Sequence, residues 1–260
     1  MELNKKDDIN LKNSEKKLYQ KEEMKIEEVK IEKISSLRKT IAKHMIVSKN
    51  LIPDATLISE VDVSDLVILR EKYKKEALDK NIKLTYMSFI SKVVTIALKE
   101  FSTLNAFFDD QKNELTYYKN INLGIAVDTP QGLIVPNIKD AGNLSIFALA
   151  KEIQNIAQMA LNSKLEAKHI TKGTFTLSNY GATGVLYATP IIKYPELAIL
   201  GIGNIIKKPV FKNKEICVSD ILPLSLSFDH RILDGVYCGN FLKKISFLLN
   251  DINKLEENIF

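Results

Sequence analysis

Between Pro223 and Asn250 the chain changes period within a few residues. Pro223-Leu224-Ser225-Leu226-Ser227-Phe228 alternates apolar and small polar residues, the two-residue repeat of a strand, whereas residues 235–250 read as a helix. A strand that feeds a helix through so short a connection belongs to a layered fold, with helices packed on a sheet. The connection Asp229-His230-Arg231-Ile232-Leu233-Asp234-Gly235 gathers an imidazole, two carboxylates, a guanidinium and a glycine. His230 is one of three histidines. An imidazole with an unperturbed pKa of about 6.5 is suited to take a proton from a thiol or alcohol near neutral pH, and connections on a rigid scaffold commonly carry chemistry.

The other elements fit the same class. Ser35 or Ser36 can cap a helix that carries Leu37, Ile41, Met45 and Val47, with Pro53 marking its exit. A strand is expected over residues 55–63, then a helix over 65–79, with Ser64 as its N-cap and Leu66, Leu69 and Tyr73 on one face. Residues 87–101 and 145–161 have the helical period. Strands are expected at 115–118, 122–128, 133–138, 174–178, 198–202 and 222–228. Thr129-Pro130-Gln131-Gly132 turns the second of these into the third as a hairpin. The sum is an α/β sandwich with helices over a mixed sheet. There is no solenoid repeat and no Walker or Rossmann glycine fingerprint, so ATP and nicotinamide chemistry are not indicated.

Residues 1–28 are dominated by Lys, Glu, Asp and Asn, with Tyr19 as the single aromatic, and read as a disordered leader. A docking arm is the alternative, since Leu18, Met24, Ile26 and Val29 can form a short apolar face. Residues 29–260 are expected to form one domain. The net charge of +5 arises from 37 basic and 32 acidic side chains, mixed along the chain without the basic and aromatic stripe of a nucleic-acid binder. Cys217 and Cys238 are far apart and outside any Cys/His metal pattern, which argues against a structural metal or a disulfide framework. No apolar run reaches the roughly 20 residues of a membrane span, and a bacterial cytoplasmic setting fits best.

Several ordered motifs surround the connection: Leu37-Arg38-Lys39-Thr40-Ile41-Ala42-Lys43-His44-Met45, Asn122-Leu123-Gly124-Ile125-Ala126-Val127-Asp128-Thr129, Gly132-Leu133-Ile134-Val135-Pro136, Thr176-Leu177-Ser178-Asn179-Tyr180-Gly181 and Pro195-Glu196-Leu197-Ala198-Ile199-Leu200-Gly201. With the turn at His230, they make the chain resemble, from about Ile34 onward, the catalytic domain of the dihydrolipoamide acyltransferases of 2-oxo acid dehydrogenase complexes. The resemblance implies a chloramphenicol acetyltransferase-like α+β two-layer sandwich whose active sites lie between the subunits of a homotrimer, with trimers assembling into a larger cage. His230 is then the base that deprotonates the thiol of coenzyme A. The Ser178 hydroxyl is the oxyanion donor, and Asp234 contributes directly to catalysis. Arg70, Thr85, Asp128, Ser178 and Asn179 are the implied contacts of coenzyme A or acetyl-coenzyme A, Arg70 being suited to a phosphate. Asp229 and Arg231 can form an ion pair that braces the turn, and no matching role falls to His44 or His169.

The lipoyl group that such an enzyme acylates sits on a domain not found before Ile34, where neither a lipoylation turn, a Pro-rich linker nor a domain for binding the peripheral subunits is recognisable. The expected partners are accordingly a lipoyl domain supplied from elsewhere, a 2-oxo acid dehydrogenase and dihydrolipoamide dehydrogenase, with no nucleic acid, membrane or metal. Within the resemblance, Ser178 and the Leu226-Ser227-Phe228-Asp229-His230-Arg231 run look more like acetyl or branched-chain enzymes than succinyl enzymes, and acetyl is the expected group. A branched-chain acyltransferase, a stand-alone small-molecule acetyltransferase and an inactive structural core stay open as alternatives.

Overall fold

The computed structural model of the chain describes residues 30–212 and 214–260; the expected leader lies outside the described residues. Helix α1 (Ser36–Leu51) leads into strand β1 (Asp54–Asp62) and helices α2 (Ser64–Asp79) and α3 (Tyr86–Glu100). Strands β2 (Ala106–Asp109) and β3 (Glu114–Tyr117) pair as a separate hairpin. They are followed by β4 (Leu123–Ile125), β5 (Val127–Thr129), β6 (Gly132–Ile134) and β7 (Asn137–Ile138). Helices α4 (Ile146–Leu161) and α5 (Ala167–Ile170) precede β8 (Phe175–Asn179), β9 (Ala198–Ile202), β10 (Ile206–Lys212) and β11 (Glu215–Asp229). Helices α6 (Gly235–Asn250) and α7 (Ile252–Glu256) close the described chain.

Seven strands form a mixed sheet in the order β1-β11-β9-β8-β4-β7, with β10 paired to β11. Strand β8 runs parallel to both β4 and β9, while β9 runs antiparallel to β11. The alternation that identified β11 has a physical basis beyond one wet and one dry face. Leu224, Leu226 and Phe228 enter the core, but Ser225 and Ser227 are also fully buried. Their hydroxyls are satisfied across the sheet, by Thr56 Oγ1 at 2.8 Å from Ser227 and by the Tyr180 hydroxyl, which donates to Ser225 at 3.0 Å. Small polar side chains therefore let a second layer of chain close over that face.

The core gathers where α3 and α6 cover the sheet. Phe241 of α6 packs edge-on against Phe101 (5.7 Å between ring centroids) and Phe175 of β8 (5.9 Å), and both Phe175 and Phe241 are fully buried. Ser145 caps α4, its hydroxyl accepting from the Ala148 N–H at 3.1 Å.

The structure departs from several of these expectations. Ser64 is the first residue of α2 and not its cap; the Asp62 carboxylate accepts from the Ser64 N–H (3.0 Å) and hydroxyl (2.7 Å) instead. Residues 122–128 and 133–138 each break in two. Strands β4 and β7 pair in the main sheet, whereas β5 and β6 leave it as the expected hairpin. Strand β11 begins at Glu215, well before residue 222, because its first half pairs with β10, a strand that the sequence pattern does not announce. Strand β2 is likewise unannounced. Among the described residues, no helix is long and apolar enough to cross a membrane.

Replacing Phe241 by Ala removes the ring shared by Phe101 and Phe175 and should lower the free energy of unfolding by about 3–5 kcal/mol. Denaturant titration of parent and variant measures this as a shifted midpoint.

Candidate active site

The turn after β11 is held by an ionic fork. Asp229 is fully buried, and its Oδ1 accepts from the Arg231 backbone N–H and Nε, each at 3.0 Å, while Oδ2 accepts from Arg231 Nη2 at 2.7 Å. Arg231 also lies over the Phe108 ring, 5.1 Å from its centroid, and 3.9 Å from Asp110. The fork raises the Arg231 pKa, chiefly through its hydrogen bond to Asp229. Both Asp229 oxygens are thus committed within the turn, and the imidazole of His230 projects from it, exposed, with its ring 5.4 Å from that of Phe228. The His230 N–H donates to the Pro53 carbonyl at 3.1 Å, which ties the turn to the approach to β1. Asp234 is the exposed N-cap residue of α6, and its carboxylate makes no capping bond.

Ser178 and Asn179 lie at the C-terminal end of β8. The Asn179 Oδ1 accepts from the Gly181 N–H at 3.0 Å, turning the chain sharply. Gly181 is required there because a Cβ would stand 2.3 Å from the Gly203 carbonyl oxygen. Beside this turn opens a cavity of about 400 Å³, lined by Asn179, Gly181, Asn204, Asp220, Tyr86 and Val67 among others. Thr85 is the N-cap residue of α3, next in the chain to Tyr86. Arg70 of α2 lies over the Tyr86 ring, 5.0 Å from its centroid, its Nε donating to the Leu84 carbonyl at 3.1 Å and its guanidinium also pairing with Glu71. Asp128 is exposed on β5, three residues beyond Ile125, which is level with Leu177. The fold therefore brings Asn179, Ser178, Thr85 and Arg70 to one neighbourhood and carries Asp128 toward the same end of the sheet.

It does not bring Ser178 to His230. Ser178 pairs with Gly201 on β9, and Gly201 pairs with Ser225 on β11. His230 follows Ser225 by five residues on the antiparallel strand, so the two side chains stand at opposite ends of the sheet. At about 3.3 Å per residue along a strand and about 4.8 Å between strands, the separation is roughly 19 Å. No proton or hydrogen bond passes directly between such positions within one chain. Among the described residues, no hydrogen bond holds the Ser178 hydroxyl, the His230 ring or the Asp234 carboxylate. By contrast His169 is structural, its Nδ1 accepting from the Glu166 N–H at 3.0 Å to cap α5, and His44 is exposed on α1 beside an apolar groove. Sequence reasoning gave no individual role to Glu196, a carboxyl only 1% exposed just ahead of β9; its single signal was an acidic residue abutting an apolar strand.

The family profile described as 2-oxoacid dehydrogenases acyltransferase (catalytic domain) matches residues 26–256. A dihydrolipoyllysine-residue acetyltransferase component of a pyruvate dehydrogenase complex, from Acholeplasma laidlawii, is 48% identical over 224 residues, which are 86% of this chain and 41% of that relative. The chain thus spans less than half of that relative's length. In a crystallographic and enzymatic study of Azotobacter vinelandii dihydrolipoamide acetyltransferase, a serine, a histidine and an asparagine are investigated for their role in catalysis. Its structure is 32% identical with a TM-score of 0.86, covering 88% of this chain and 94% of that one. A chloramphenicol acetyltransferase, 14% identical with a TM-score of 0.51, covering 85% of this chain and 100% of that one, shares the fold. Two layers of helix and mixed sheet, the ordered motifs along them and the profile match lead to one assignment: the chain belongs to the acyltransferase family of 2-oxoacid dehydrogenases, through that family's catalytic domain.

Proposed function

We propose that this chain moves an acetyl group between coenzyme A and a dihydrolipoyl group, as the acyltransferase core of a pyruvate dehydrogenase-type complex. The observation that carries the proposal is a pair of side chains that no hydrogen bond holds among the described residues, Ser178 and His230, at opposite ends of one sheet. Their spacing in the sequence, and that of Asp234 after His230, equals the spacing of the serine, histidine and asparagine studied in the Azotobacter enzyme. A separation of roughly 19 Å within a chain suits sites formed between subunits, where one protomer supplies His230 and its neighbour Ser178. A homotrimer closes three such sites, and further assembly into a cage is compatible with them.

In the forward direction the His230 imidazole takes the proton of the coenzyme A thiol, and the thiolate attacks the acyl carbon of S-acetyldihydrolipoyl. The carbonyl oxygen gains negative charge and accepts a hydrogen bond from the Ser178 hydroxyl. Collapse of the tetrahedral species expels the dihydrolipoyl thiolate, which recovers the proton from His230. Asp234 carries a carboxylate where the Azotobacter enzyme has a carboxamide, and it supports the positive charge of the transient imidazolium. The cavity beside Asn179 receives part of coenzyme A, with Arg70, Thr85 and Asp128 at its approaches. Arg70 reaches a phosphate once its guanidinium exchanges Glu71 for that anion.

The lipoyl group arrives on another chain or on a part of a longer protein, alongside a 2-oxo acid dehydrogenase and dihydrolipoamide dehydrogenase, in the bacterial cytoplasm. Residues 29–260 act as the catalytic domain, and residues 1–28 as its leader.

Acetylation of dihydrolipoamide by acetyl-coenzyme A tests the reading, and a parent protein inactive under conditions where a related enzyme works would sink it. His230→Ala should lower kcat by about 10²–10⁴-fold with assembly intact, and Ser178→Ala by about 10²–10³-fold. Refolding the two variants together should restore activity toward about a quarter of the parent's, the share of sites in a random mixture that join both intact side chains. Mixtures as inactive as their components would rule out sites shared between subunits.

A further inference from the structure

Glu196 stands between the two strands that carry Ser178 and His230. Its Oε2 accepts from the Thr176 hydroxyl of β8 at 2.6 Å, two residues before Ser178. The carbonyl of its neighbour Leu197 accepts from the Asp229 N–H of β11 at 2.9 Å, one residue before His230. On a third side it forms an isolated antiparallel bridge with Phe107 of β2. The second carboxyl oxygen, Oε1, is buried without a hydrogen-bond partner among the described residues, as is Asn137 Oδ1 of β7. Space near them exists because residue 173 is glycine: a Cβ there would lie 3.1 Å from Glu196 Oε1 and 3.6 Å from Asn137 Nδ2.

The charged side chain that acts on this carboxyl is Lys193. Lys193 Nζ stands 3.7 Å from Oε1, beyond hydrogen-bond reach. Lys139, just after β7, is itself repelled by both Lys172 and Lys193. Burial outweighs Lys193 and Thr176 and pushes the Glu196 carboxyl up to about 7.

We infer that Glu196 is a positioning residue for the transfer reaction, its buried carboxyl fixing the strand from which both Ser178 and His230 take their places. The inference rests on the acetyl transfer proposed above. Because the ordinary carboxylate range lies well below 7, the protonated form is the one the fold favours, and the stability it lends is lost as pH rises from the ordinary value through 7. Above that point an ionised Oε1 in a dry site is relieved by admitting water, which loosens the β8 and β11 attachments together.

Two substitutions separate this role from mere packing. Glu196→Gln keeps the shape and an acceptor for Thr176 while holding the side chain neutral; Glu196→Ala removes both. The alanine variant should lose about tenfold in kcat with KM nearly unchanged, the scale of one buried hydrogen bond. The glutamine variant should match the parent near about pH 6 and exceed it about threefold near pH 8.5, where the parent carboxyl is ionised. A glutamine-to-parent ratio that does not move with pH, or an alanine loss that falls on KM, overturns the inference. Should the alanine variant fail to fold, the pH dependence of the glutamine ratio decides alone.

Hydrogen exchange read by mass spectrometry keeps the test independent of activity. Above pH 7 the segments around Ser178 and Asp229 should exchange faster in the parent than in Glu196→Gln, and equally near about pH 6. Equal exchange throughout overturns the positioning role. A parent without acetyl transfer that still shows this difference removes the proposed function and leaves the joint standing.

Discussion

Strand β9 is hydrogen-bonded along both edges, antiparallel to β11 on one side and parallel to β8 on the other. That single change of direction decides where Ser178 and His230 emerge. Because β8 and β11 run oppositely, a side chain near the end of each emerges at opposite ends of the sheet, and no local adjustment of loops can reunite them. The five residues of β9 are all buried, so its ladders exchange little with water and the register is firmly set. Glu196 stands where this strand begins.

The turn after β11 uses its charges locally. A buried carboxylate needs compensation, and Asp229 finds it two residues away in Arg231, whose guanidinium is in turn steadied by Phe108. Sequence proximity makes this cheap, since the turn that forms the fork also brings its partners together. The exposed imidazole between them has the Phe228 ring beside it.

Where the sequence was legible, the periodicity was strong. Helix α6 and strand β9 were placed at their observed ends, and α3 and α4 within a residue of theirs, because each carries a long apolar stripe or a run of buried β-formers. Strand β10 was not legible: Ile206-Lys207-Lys208-Pro209-Val210 alternates only weakly and includes a proline, which a sheet tolerates at an edge. Residues 122–138 read as two strands because periodicity does not register the breaks at Ala126 and Val135, where the backbone passes from the main sheet to a side hairpin. Ser64 reads as the cap of α2 because serine commonly caps, but the N-cap position falls on Val63, which has no side-chain acceptor, and the Asp62 carboxylate takes the Ser64 N–H instead. At the candidate site, His230 stood out through its position on a strand-to-helix connection. Ser178 did not, since a serine at a strand end is ordinary, and only resemblance to a family singled it out. Glu196 was invisible as a buried acid because burial depends on three elements that come from distant parts of the chain: β8, β7 and β2.

The ribbon formed by β10 and the first half of β11 extends past the sheet and exposes Phe211, Ile216 and Val218. An open strand edge beside exposed apolar side chains is the usual starting point for unlimited end-on growth. Here that edge carries Pro209, which has no N–H to donate, and Lys207, Lys208 and Lys212, whose ammonium groups are drawn to Asp220, Glu60 and Asp62. A neighbour can cover the ribbon's face, but it cannot readily continue its ladder. The same few residues thus set a limit to strand addition at this edge, whatever comes to cover the ribbon's apolar face.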